Sequence, residues 1–343
     1  MKAVRLTAHG APGKLEFGDV PEPQPGREEV QVRVKACGLN HLDLWMEKGE
    51  LPIRIDLPRI QGCEIAGEVS EVGPEVSGWK SGDRVAVQSN IFCGKCEYCT
   101  RGEESMCLAN IMLGVQIDGG FAEKVVVPER ALAKLPDNVD FQTSAALTLA
   151  GSTAMHMLMD RTQVRRGDWV LVIAGASGVG SAAIQIARQT GARVISTGSS
   201  KQKQDLAAKL GAEAVLDSND ANWAAEVRKL TQKRGVDVVI EHVGGQMLTN
   251  ALSCLARGGT VVTCGATAGA NISLDIWPLF VKQQRLVGSY GRNRADFVKT
   301  LEWAASGKLR PVIHTVLPLE GTRDAFALMR ERKVLGKVIV VPG

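Results

Sequence analysis

The 343-residue sequence lacks any long apolar run, and this absence excludes a membrane-spanning helix, which needs about 20 such residues. Its first residues lack the apolar stretch of a signal peptide, so we expect a cytoplasmic protein whose cysteines are reduced. Neither sign of charge is in excess: 41 Lys and Arg stand against 37 Asp and Glu, and their dispersal predicts neither a nucleic-acid partner nor a membrane partner. Internal repeats and low-complexity segments are also absent. With 45% hydrophobic residues, the chain has room for two globular domains of ordinary size.

One glycine-rich stretch, residues 169–180, has the pattern of a nucleotide-binding turn. Trp169 to Ile173 is predicted to be a buried strand, and Val179 to Thr190 the helix that follows it. A helix N-terminus carries free N–H groups and a partial positive charge, so a pyrophosphate can bind there when the turn is made of small residues. The match to the dinucleotide fingerprint is partial, because a serine replaces its middle glycine. The predicted cofactor-binding residues of this turn are Gly175, Ser177, Gly178, Val179 and Gly180.

From about residue 150 onward, strand patterns alternate with helix patterns. Six strands are predicted, at 169–173, 193–197, 214–217, 237–241, 260–264 and 285–290. With crossover helices between them, they form a doubly wound parallel sheet, which is the Rossmann architecture of the α/β class. We assign this dinucleotide-binding domain to residues 150–290.

The first half of the chain is rich in short strands separated by Gly and Pro, which favours a barrel-like or sandwiched β unit. Strands are predicted at 29–36, 65–73, 83–87 and 122–127, and a proline-rich loop is expected before the first clear strand. A helix at 297–304 and strands at 312–317 and 337–341 are expected to return to this unit. Its predicted bounds are therefore 1–149 and 291–343.

The end of the second Rossmann strand indicates which nicotinamide cofactor is bound. An NAD enzyme usually carries Asp or Glu there to hold the ribose hydroxyls, but this sequence has Gly198. The donors available to a 2′-phosphate are Ser199, Ser200, Lys201 and Lys203, so NADP(H) is favoured and NAD(H) stays open. Helix capping by Ser199, in a capping box with Gln202, is the alternative use of this segment. Ligands bind outside the carboxyl ends of such strands, which adds Val243, Gly244, Gly265, Ala266 and Ser289 to the predicted cofactor site.

Four cysteines at close spacing predict a metal site in the loop 91–108. Cys93, Cys96, Cys99 and Cys107 can surround one zinc ion with four thiolates. Such a site leaves no position for a substrate, so this zinc, one per chain, is predicted to be structural and to fix a loop that has little apolar content. The alternatives are a reduced cysteine cluster without metal and an iron–sulfur site.

Together with these two features, the motifs Cys37–Asp43, Gly62–Gly67, Gly119–Glu123 and Val243–Gly245 make the chain resemble the medium-chain dehydrogenase/reductase family. The family includes zinc alcohol dehydrogenases and zinc-free quinone reductases, and the resemblance covers almost the whole chain. It implies a GroES-like catalytic domain, a Rossmann domain, a cleft between them, and hydride transfer between a nicotinamide and a small molecule. It also implies a homodimer or homotetramer, and it places Thr153 on the nicotinamide side.

The chain departs from the zinc alcohol dehydrogenases where they hold their catalytic metal. By resemblance Cys37 matches the first ligand, whereas Cys63 stands where a His is expected and Leu149 stands at the third ligand position. Glu64 matches the glutamate that follows the His. Leucine cannot coordinate a metal, so a second, catalytic zinc stays open, with Cys37, Cys63 and Glu64 as its only available ligands.

Asn40 and Asp43 match the zinc-free quinone reductases instead, while Leu42 and Trp45 replace the proton-relay residues. Without a metal, the carbonyl oxygen of a substrate must be polarised by hydrogen-bond donors. We expect Asn40 to supply one donor and His41 or a water molecule a second, with Asp43 fixing the loop. The other four histidines, His9, His156, His242 and His314, are given no chemical role.

Three functions follow from these patterns. The first is an NADP(H)-preferring oxidoreductase with a structural zinc that acts on a small alcohol or carbonyl compound, an enone or a quinone. The second is a zinc-dependent alcohol dehydrogenase with a non-standard catalytic zinc. The third is a non-catalytic NADPH-binding sensor or structural protein, which the missing metal ligand and missing relay would fit.

Overall fold

The computed structural model describes all residues from Met1 to Gly343, and they divide into two compact units. One unit combines Met1–Ser152 with Arg292–Gly343, and the other is Thr153–Gly291. None of the helices has the length and apolar character required to cross a membrane.

The N-terminal part of the first unit is mainly β-structure. Its strands are β1 (Lys2–Ala8), β2 (Lys14–Asp19), β3 (Glu29–Gly38), β4 (Arg59–Ile60), β5 (Glu64–Val72), β6 (Arg84–Val87), β7 (Asn90–Ile91), β8 (Ile111–Met112), β9 (Lys124–Pro128) and β10 (Leu132–Lys134). Its helices are α1 (His41–Lys48), α2 (Glu97–Thr100) and α3 (Phe141–Ala145), and α4 (Ala150–Met155) continues into the second unit.

The second unit is built on a parallel sheet. After a π-helical segment, His156–Arg161, its strands are β11 (Trp169–Val172), β12 (Arg193–Gly198), β13 (Ala214–Asp217), β14 (Val236–Glu241), β15 (Leu255–Thr263) and β16 (Arg285–Gly288). Its helices are α5 (Gly178–Gln189), α6 (Lys201–Lys209), α7 (Trp223–Leu230), α8 (Gly245–Ser253) and α9 (Ile276–Val281). The chain then returns to the first unit with α10 (Arg294–Ala305), β17 (Ile313–Pro318), α11 (Thr322–Arg330) and β18 (Lys337–Val341).

The strand order of the second unit, β13-β12-β11-β14-β15-β16, confirms the predicted Rossmann sheet. Apolar residues of β11, β12 and β14, among them Leu171, Ile195 and Val239, are fully buried because crossover helices cover both faces of a parallel sheet. The carboxyl ends of these strands therefore lie at one edge, where α5, α6 and α8 begin. That edge carries the predicted cofactor-binding residues.

The first unit is organised around β3, in which Val30, Val32 and Val34 are buried. In its main sheet the strands follow the order β10-β6-β5-β3-β18-β17, and β9 also pairs with β3. Strand β18 runs antiparallel to β3, with Val340 opposite Cys37. This pairing joins the C-terminal strand to the end of β3, so residues at opposite ends of the sequence meet where β3 gives way to α1.

The prediction that Glu29 opens the first clear strand is wrong. Strands β1 and β2 precede it and pair antiparallel, from Lys2 opposite Asp19 to Ala8 opposite Lys14. The signal was present in the N-terminal residues, where Val4 and Leu6 alternate with the polar Arg5 and Thr7. Two predicted starts are wrong by more than two residues: β15 begins at Leu255 and not at residue 260, and α10 begins at Arg294 and not at residue 297. The other predicted strand and helix ends differ from the structure by a residue or two, as with α5, which begins at Gly178.

Candidate functional sites

The four cysteines of the lobe 91–108 come together as predicted. Their sulfur atoms all lie within 4.8 Å of one another. The Sγ atoms of Cys96 and Cys99 are 3.5 Å apart, and those of Cys93 and Cys99 are 3.9 Å apart. A tetrahedral zinc with bonds of about 2.3 Å separates its sulfurs by about 3.8 Å, so the cluster has the size that zinc requires. All four ligands come from the protein, which suits a structural role.

Backbone N–H groups within the lobe donate hydrogen bonds to these sulfur atoms. The N–H of Cys93 donates to the Cys107 sulfur at 3.2 Å, and that of Cys96 donates to the Cys93 sulfur at 3.3 Å. Backbone hydrogen bonds lower the pKa of Cys93 and lower that of Cys96 to about 6, whereas burial raises the pKa of Cys99 to about 12. The cluster thus already favours a thiolate at some positions, and a bound zinc would favour it at all four.

The glycine-rich turn of the second unit has the geometry of a phosphate-binding turn. A Cβ atom on Gly175 would lie 2.1 Å from the Ser196 hydroxyl, and one on Gly180 would lie 2.3 Å from the Ala174 carbonyl oxygen. Larger residues therefore cannot occupy these two positions without displacing the turn. The turn leads directly into α5, and a helix N-terminus of this kind can bind a pyrophosphate through its backbone N–H groups.

Ser177, which replaces the middle glycine of the fingerprint, caps this helix. Its hydroxyl accepts a hydrogen bond from the N–H of Gly180 at 2.9 Å and lies 3.2 Å from Nε2 of His242. Because burial lowers the pKa of His242, the ring is neutral at pH 7, and Nε2 can accept the hydroxyl proton. His242 follows β14 and was given no role from the sequence. The structure makes it the partner of the phosphate-turn serine.

The segment after β12 begins with small and basic residues and has no acidic side chain beside Gly198. Ser200, not Ser199, caps α6, since its hydroxyl accepts from the N–H of Lys203. The alternative use of this segment, a capping box between Ser199 and Gln202, is therefore wrong, because the helix begins one residue later. The Lys203 ammonium instead lies 3.4 Å from the Ser199 hydroxyl, so a cation and an exposed hydroxyl stand together beside Gly198.

The remaining predicted cofactor residues lie beyond the carboxyl ends of β14, β15 and β16. The buried Glu241 accepts from the N–H groups of Val243 at 2.6 Å and Gly244 at 2.7 Å, which fixes the turn that leads into α8. Ser289 follows β16, and its buried hydroxyl has no hydrogen-bond partner within the protein. An orphaned hydroxyl at this edge fits a cofactor group as its partner. Three further predicted residues differ in exposure, with Gly265 half-buried, Ala266 exposed and Thr153 buried.

In the first unit, Glu64 is the centre of a buried hydrogen-bond network. One carboxylate oxygen accepts from the backbone N–H groups of Leu149 at 2.7 Å and Ala150 at 2.9 Å. The other accepts from the Asn40 side-chain amide at 3.1 Å and pairs with the Lys337 ammonium at 2.6 Å. Both oxygens of Glu64 therefore have protein partners, and the residue is fully buried.

Lys337, at the start of β18, completes this network from the other end of the chain. Its ammonium also donates to the carbonyl of Leu39 and to the side-chain oxygen of Asn40, each at 2.6 Å. Only 4% of the residue is exposed. A buried ammonium with three acceptors is fully satisfied, so this cation is a fixed part of the site.

The side-chain N–H groups of Asn40 make three contacts of unequal length. The contact with Glu64 is accompanied by one with the Gly38 carbonyl at 3.2 Å and a long one with the Cys63 sulfur at 4.0 Å. Asn40 therefore lies beside Cys63 and Glu64. Its donors are already engaged within the protein.

Cys37, Cys63 and Glu64 do not form a metal-ligand cluster of the kind seen in the lobe, where alone three or more ligand atoms converge. Cys37 lies within β3, and its sulfur packs against Gly62 and Gly120. Burial raises the pKa of both Cys37 and Cys63 well above the ordinary thiol value, so both are neutral thiols at pH 7. With Glu64 already occupied, these residues do not fit a catalytic zinc.

Asp43 fastens the loop, as expected. Its carboxylate accepts from the N–H of Asn40 at 2.8 Å and from that of Gly62 at 3.1 Å, which ties the start of α1 to the strand region around Cys63. Burial raises its pKa from the ordinary 3.8 to about 7. His41, the first residue of α1, is exposed, whereas Asn40 and Asp43 are buried.

A Rossmann unit with a phosphate-binding turn, joined to a β-rich unit with a four-cysteine zinc site, defines a nicotinamide-dependent dehydrogenase. Residues 26–137 match the family model of the alcohol dehydrogenase GroES-like domain, and residues 178–306 match that of the zinc-binding dehydrogenases. An NAD-dependent alcohol dehydrogenase of Sulfolobus acidocaldarius is 36% identical over 99% of each chain.

Two solved structures extend this likeness. One, a crystal structure of an NAD-dependent alcohol dehydrogenase, superposes with a TM-score of 0.95 at 40% identity over 100% of both chains. The other is a 2-octenoyl-CoA carboxylase reductase solved with NADP and 2-octenoyl-CoA; its TM-score is 0.91 at 28% identity over 99% of this chain and 87% of that one. The chain belongs to the medium-chain dehydrogenase/reductase family, in its zinc alcohol dehydrogenase-like branch, and is an oxidoreductase.

Two residues of these sites were missed by the sequence analysis. Lys337 was assigned only to a strand, and nothing local marks it, because its partners are almost 300 residues away. His242 carried a signal that was not used: it directly follows a predicted strand, at the edge where ligands bind. The position of His242 at the end of a strand indicates a place in the cofactor site, whereas its spacing from the other histidines indicates nothing.

Proposed function

We propose that this protein is an NADP(H)-preferring oxidoreductase that transfers a hydride between the nicotinamide and a small carbonyl compound, enone or quinone, with zinc only in the cysteine lobe. The network of Glu64, Asn40 and Lys337 is the observation that carries this proposal. By resemblance this region would hold a catalytic metal, but here it holds a buried ion pair between Glu64 and Lys337. At the position where a ligand side chain is expected, Leu149 contributes only its backbone N–H, which donates to Glu64.

When bound, the nicotinamide supplies or accepts the hydride, and the protein has to polarise the substrate oxygen. Asn40 is our proposed donor. Its long contact to Cys63 and its contact to the Gly38 carbonyl are those that a substrate oxygen would replace, while the bond to Glu64 holds the amide in place. Lys337 donates to the amide oxygen of Asn40 and thereby strengthens its N–H groups as donors.

The second candidate is an alcohol dehydrogenase with a catalytic zinc, which the names of the relatives favour. Elemental analysis of protein purified without chelator or added metal separates the two. One zinc per chain, with NADPH oxidised by aldehydes, enones or quinones, supports our proposal. Two zinc ions, with alcohol oxidation that is lost on removing one, would replace it by the second candidate.

Absence of zinc would contradict the assignment of the lobe. Failure to reduce any acceptor in a broad panel, despite NADPH binding, would favour the third candidate, a non-catalytic protein that binds the cofactor. The panel should therefore be run on protein whose NADPH binding has been measured by fluorescence.

The preference for NADP(H) is supported by Gly198, Ser199 and Lys203, although the relatives reported above include NAD-dependent enzymes. Lys203→Ala is expected to weaken NADPH binding about tenfold and to leave NADH binding nearly unchanged, because the 2′-phosphate, which NADH lacks, is the cofactor group that we propose to contact this cation. Lys201→Ala is the matched control, since the Lys201 ammonium pairs with Asp205. Equal losses for both cofactors, or none, would contradict the preference.

Self-association is the last part of the proposal. Strand β16 is an edge strand with one neighbour, and apolar side chains of α9 nearby in the sequence are exposed, Trp277 by 67% and Phe280 by 56%. A second copy placed on this edge would cover them and continue the sheet. Trp277→Glu is expected to shift the mass measured by light scattering toward the monomer, whereas Ile53→Glu, at another exposed apolar residue, is expected to leave it unchanged.

A further inference from the structure

A buried polar cluster around Arg292 lies beside the network just described. Arg292 is 1% exposed, and its guanidinium donates to the Ser89 hydroxyl at 2.8 Å and to the Thr148 carbonyl at 3.3 Å. The Asn90 amide in turn donates to the carbonyl of Arg292 at 3.1 Å, so three residues fix the arginine in place.

Two polar atoms of this cluster are left without partners. The side-chain hydroxyl of Thr148 and the side-chain oxygen of Asn90 are both buried, and neither has a hydrogen-bond partner within the protein. Burying a polar group without a partner is costly, so an orphaned group in a native protein calls for a ligand or an ordered water. The Thr148 hydroxyl can donate, whereas the Asn90 oxygen can only accept.

The cluster adjoins the region where the hydride transfer is proposed. Thr148 directly precedes Leu149, whose N–H holds Glu64. The charge of Arg292 also reaches Cys63: burial and neighbouring carboxyl groups raise the pKa of that thiol, and the cations of Lys337 and Arg292 oppose the increase. Arg292 therefore acts electrostatically on a residue that contacts Asn40.

The backbone that carries Arg292 is held rigidly. It immediately precedes α10, whose N-terminus is closed by a bond from the N–H of Asn293 to Asp296 at 3.0 Å. The N–H of Ser105 donates to the Asn293 side chain at 3.0 Å, and the N–H of Arg294 donates to Glu104 at 3.0 Å. A cation on such a support is preorganised for binding, since little freedom is lost when a ligand arrives.

We propose that Arg292, Ser89 and the Thr148 hydroxyl form a carboxylate-binding subsite, and that the substrates of this enzyme are small carbonyl compounds that bear a carboxylate. A guanidinium presents paired donors that match a carboxylate, and a low-dielectric surrounding strengthens the attraction. The Thr148 hydroxyl supplies a further donor to the same anion. The Asn90 oxygen suits a hydroxyl of the substrate or a water molecule. This inference rests on the proposed function, because it specifies the substrate class of that reaction.

The first test compares an acid with a neutral substrate of equal reactivity. With NADPH as reductant, 4-oxobutanoate and butanal present the same aldehyde with and without a carboxylate. We expect kcat/KM to be at least about tenfold higher for the acid. Arg292→Gln should reduce the ratio of the two kcat/KM values about 30-fold, because the anion then has no cation to bind. A wild-type ratio near one, or a variant that lowers both values alike, would overturn the inference.

Thr148→Val covers the case in which Arg292→Gln does not fold. It removes a hydroxyl that has no partner in the free protein, so we expect no loss of thermal stability. The acid-to-neutral ratio should fall about fivefold, and Thr148→Ser, which keeps the hydroxyl, should restore it. A ratio that does not change in the valine variant would overturn the subsite as proposed, because the Thr148 hydroxyl is one of its donors.

A binding measurement separates this inference from the proposed function. Calorimetric titration of the NADPH-loaded enzyme with butanoate and with butanamide needs no turnover. Binding of butanoate alone, lost in Arg292→Gln, supports the subsite even if neither aldehyde is reduced, whereas the absence of binding overturns it even if butanal is a substrate. The dissociation constant of NADPH should stay within about twofold in the variant, since a larger change would assign Arg292 to a cofactor phosphate instead.

Discussion

Replacement of Lys337 by methionine tests whether the buried ion pair holds the first unit together. Methionine has nearly the length of lysine but no charge. The change leaves the Glu64 carboxylate buried and opposite no cation, and it removes the donor from the Leu39 carbonyl and the Asn40 side-chain oxygen. Breaking a buried pair by removing one partner costs about 3–5 kcal/mol. In a unit of about 200 residues, this lowers Tm by about 10 °C in a calorimetric scan.

The matched control is Lys333→Met. The Lys333 ammonium pairs with Glu331 at the same distance of 2.6 Å, but both side chains are exposed. Exposed pairs contribute about 0–1 kcal/mol, so Tm should stay within about 2 °C of the wild type. If Lys337→Met behaves like this control, the ion pair is not a strong stabilising contact and our account of the network is wrong.

A double-mutant cycle measures the pair itself. Glu64→Gln keeps an amide oxygen for the N–H groups of Leu149 and Ala150 but faces Lys337 with an N–H donor. The double variant lacks both charges, so its cost should be smaller than the sum of the two single costs by about 2 kcal/mol. Additive costs would indicate that the two residues act independently.

Three further predictions concern other parts of the molecule. Cys96→Ser should lower the zinc content measured by elemental analysis from about one per chain toward zero, because three thiolates hold the ion less tightly than four. In urea titrations, the free energy of unfolding of the wild type should fall by about 2–4 kcal/mol between about pH 4 and pH 7, and Asp43→Asn should abolish this fall. The sign follows because the folded-state pKa, about 7, lies above the ordinary 3.8, so Asp43 stabilises the fold at low pH and loses this contribution as it ionises. Ser289→Ala should weaken NADPH binding about threefold to tenfold in a fluorescence titration without lowering Tm, since the hydroxyl has no partner in the protein; a lower Tm would assign Ser289 a structural role instead.

The Rossmann sheet could be predicted from the sequence because its strands are short apolar runs followed by turns. Trp169 to Val172 is such a run, and the helix after it begins within one residue of its predicted start. The cysteine lobe was equally accessible, since all four ligands lie within one loop and their spacing alone brings the sulfurs together. In both cases the information is local, so no knowledge of the tertiary fold was needed.

The hydride-transfer site could be predicted only in part, because its contacts are set by strand pairing. Asn40 and Lys337 are 297 residues apart in the sequence and meet because β18 pairs with the end of β3. No periodicity or motif in either segment indicates that register. The same register decides that Asn40, which follows β3, faces Cys63, while Cys37 packs within the strand against Gly62. The positions of Asn40 and Cys37 within their motif do not indicate which of the two faces Cys63.

Leu149 shows why a list of side-chain types misjudges such a site. Its side chain cannot hold a metal, so the sequence alone indicates a lost ligand. In the structure its backbone N–H donates to Glu64, and the next residue, Ala150, donates to the same oxygen. A leucine here therefore leaves a site in which Glu64 is held by two N–H groups, an amide and an ammonium. The loss of one ligand and the presence of a closed polar network are parts of the same arrangement, which is why we expect hydrogen bonds, and not a second zinc, to polarise the substrate.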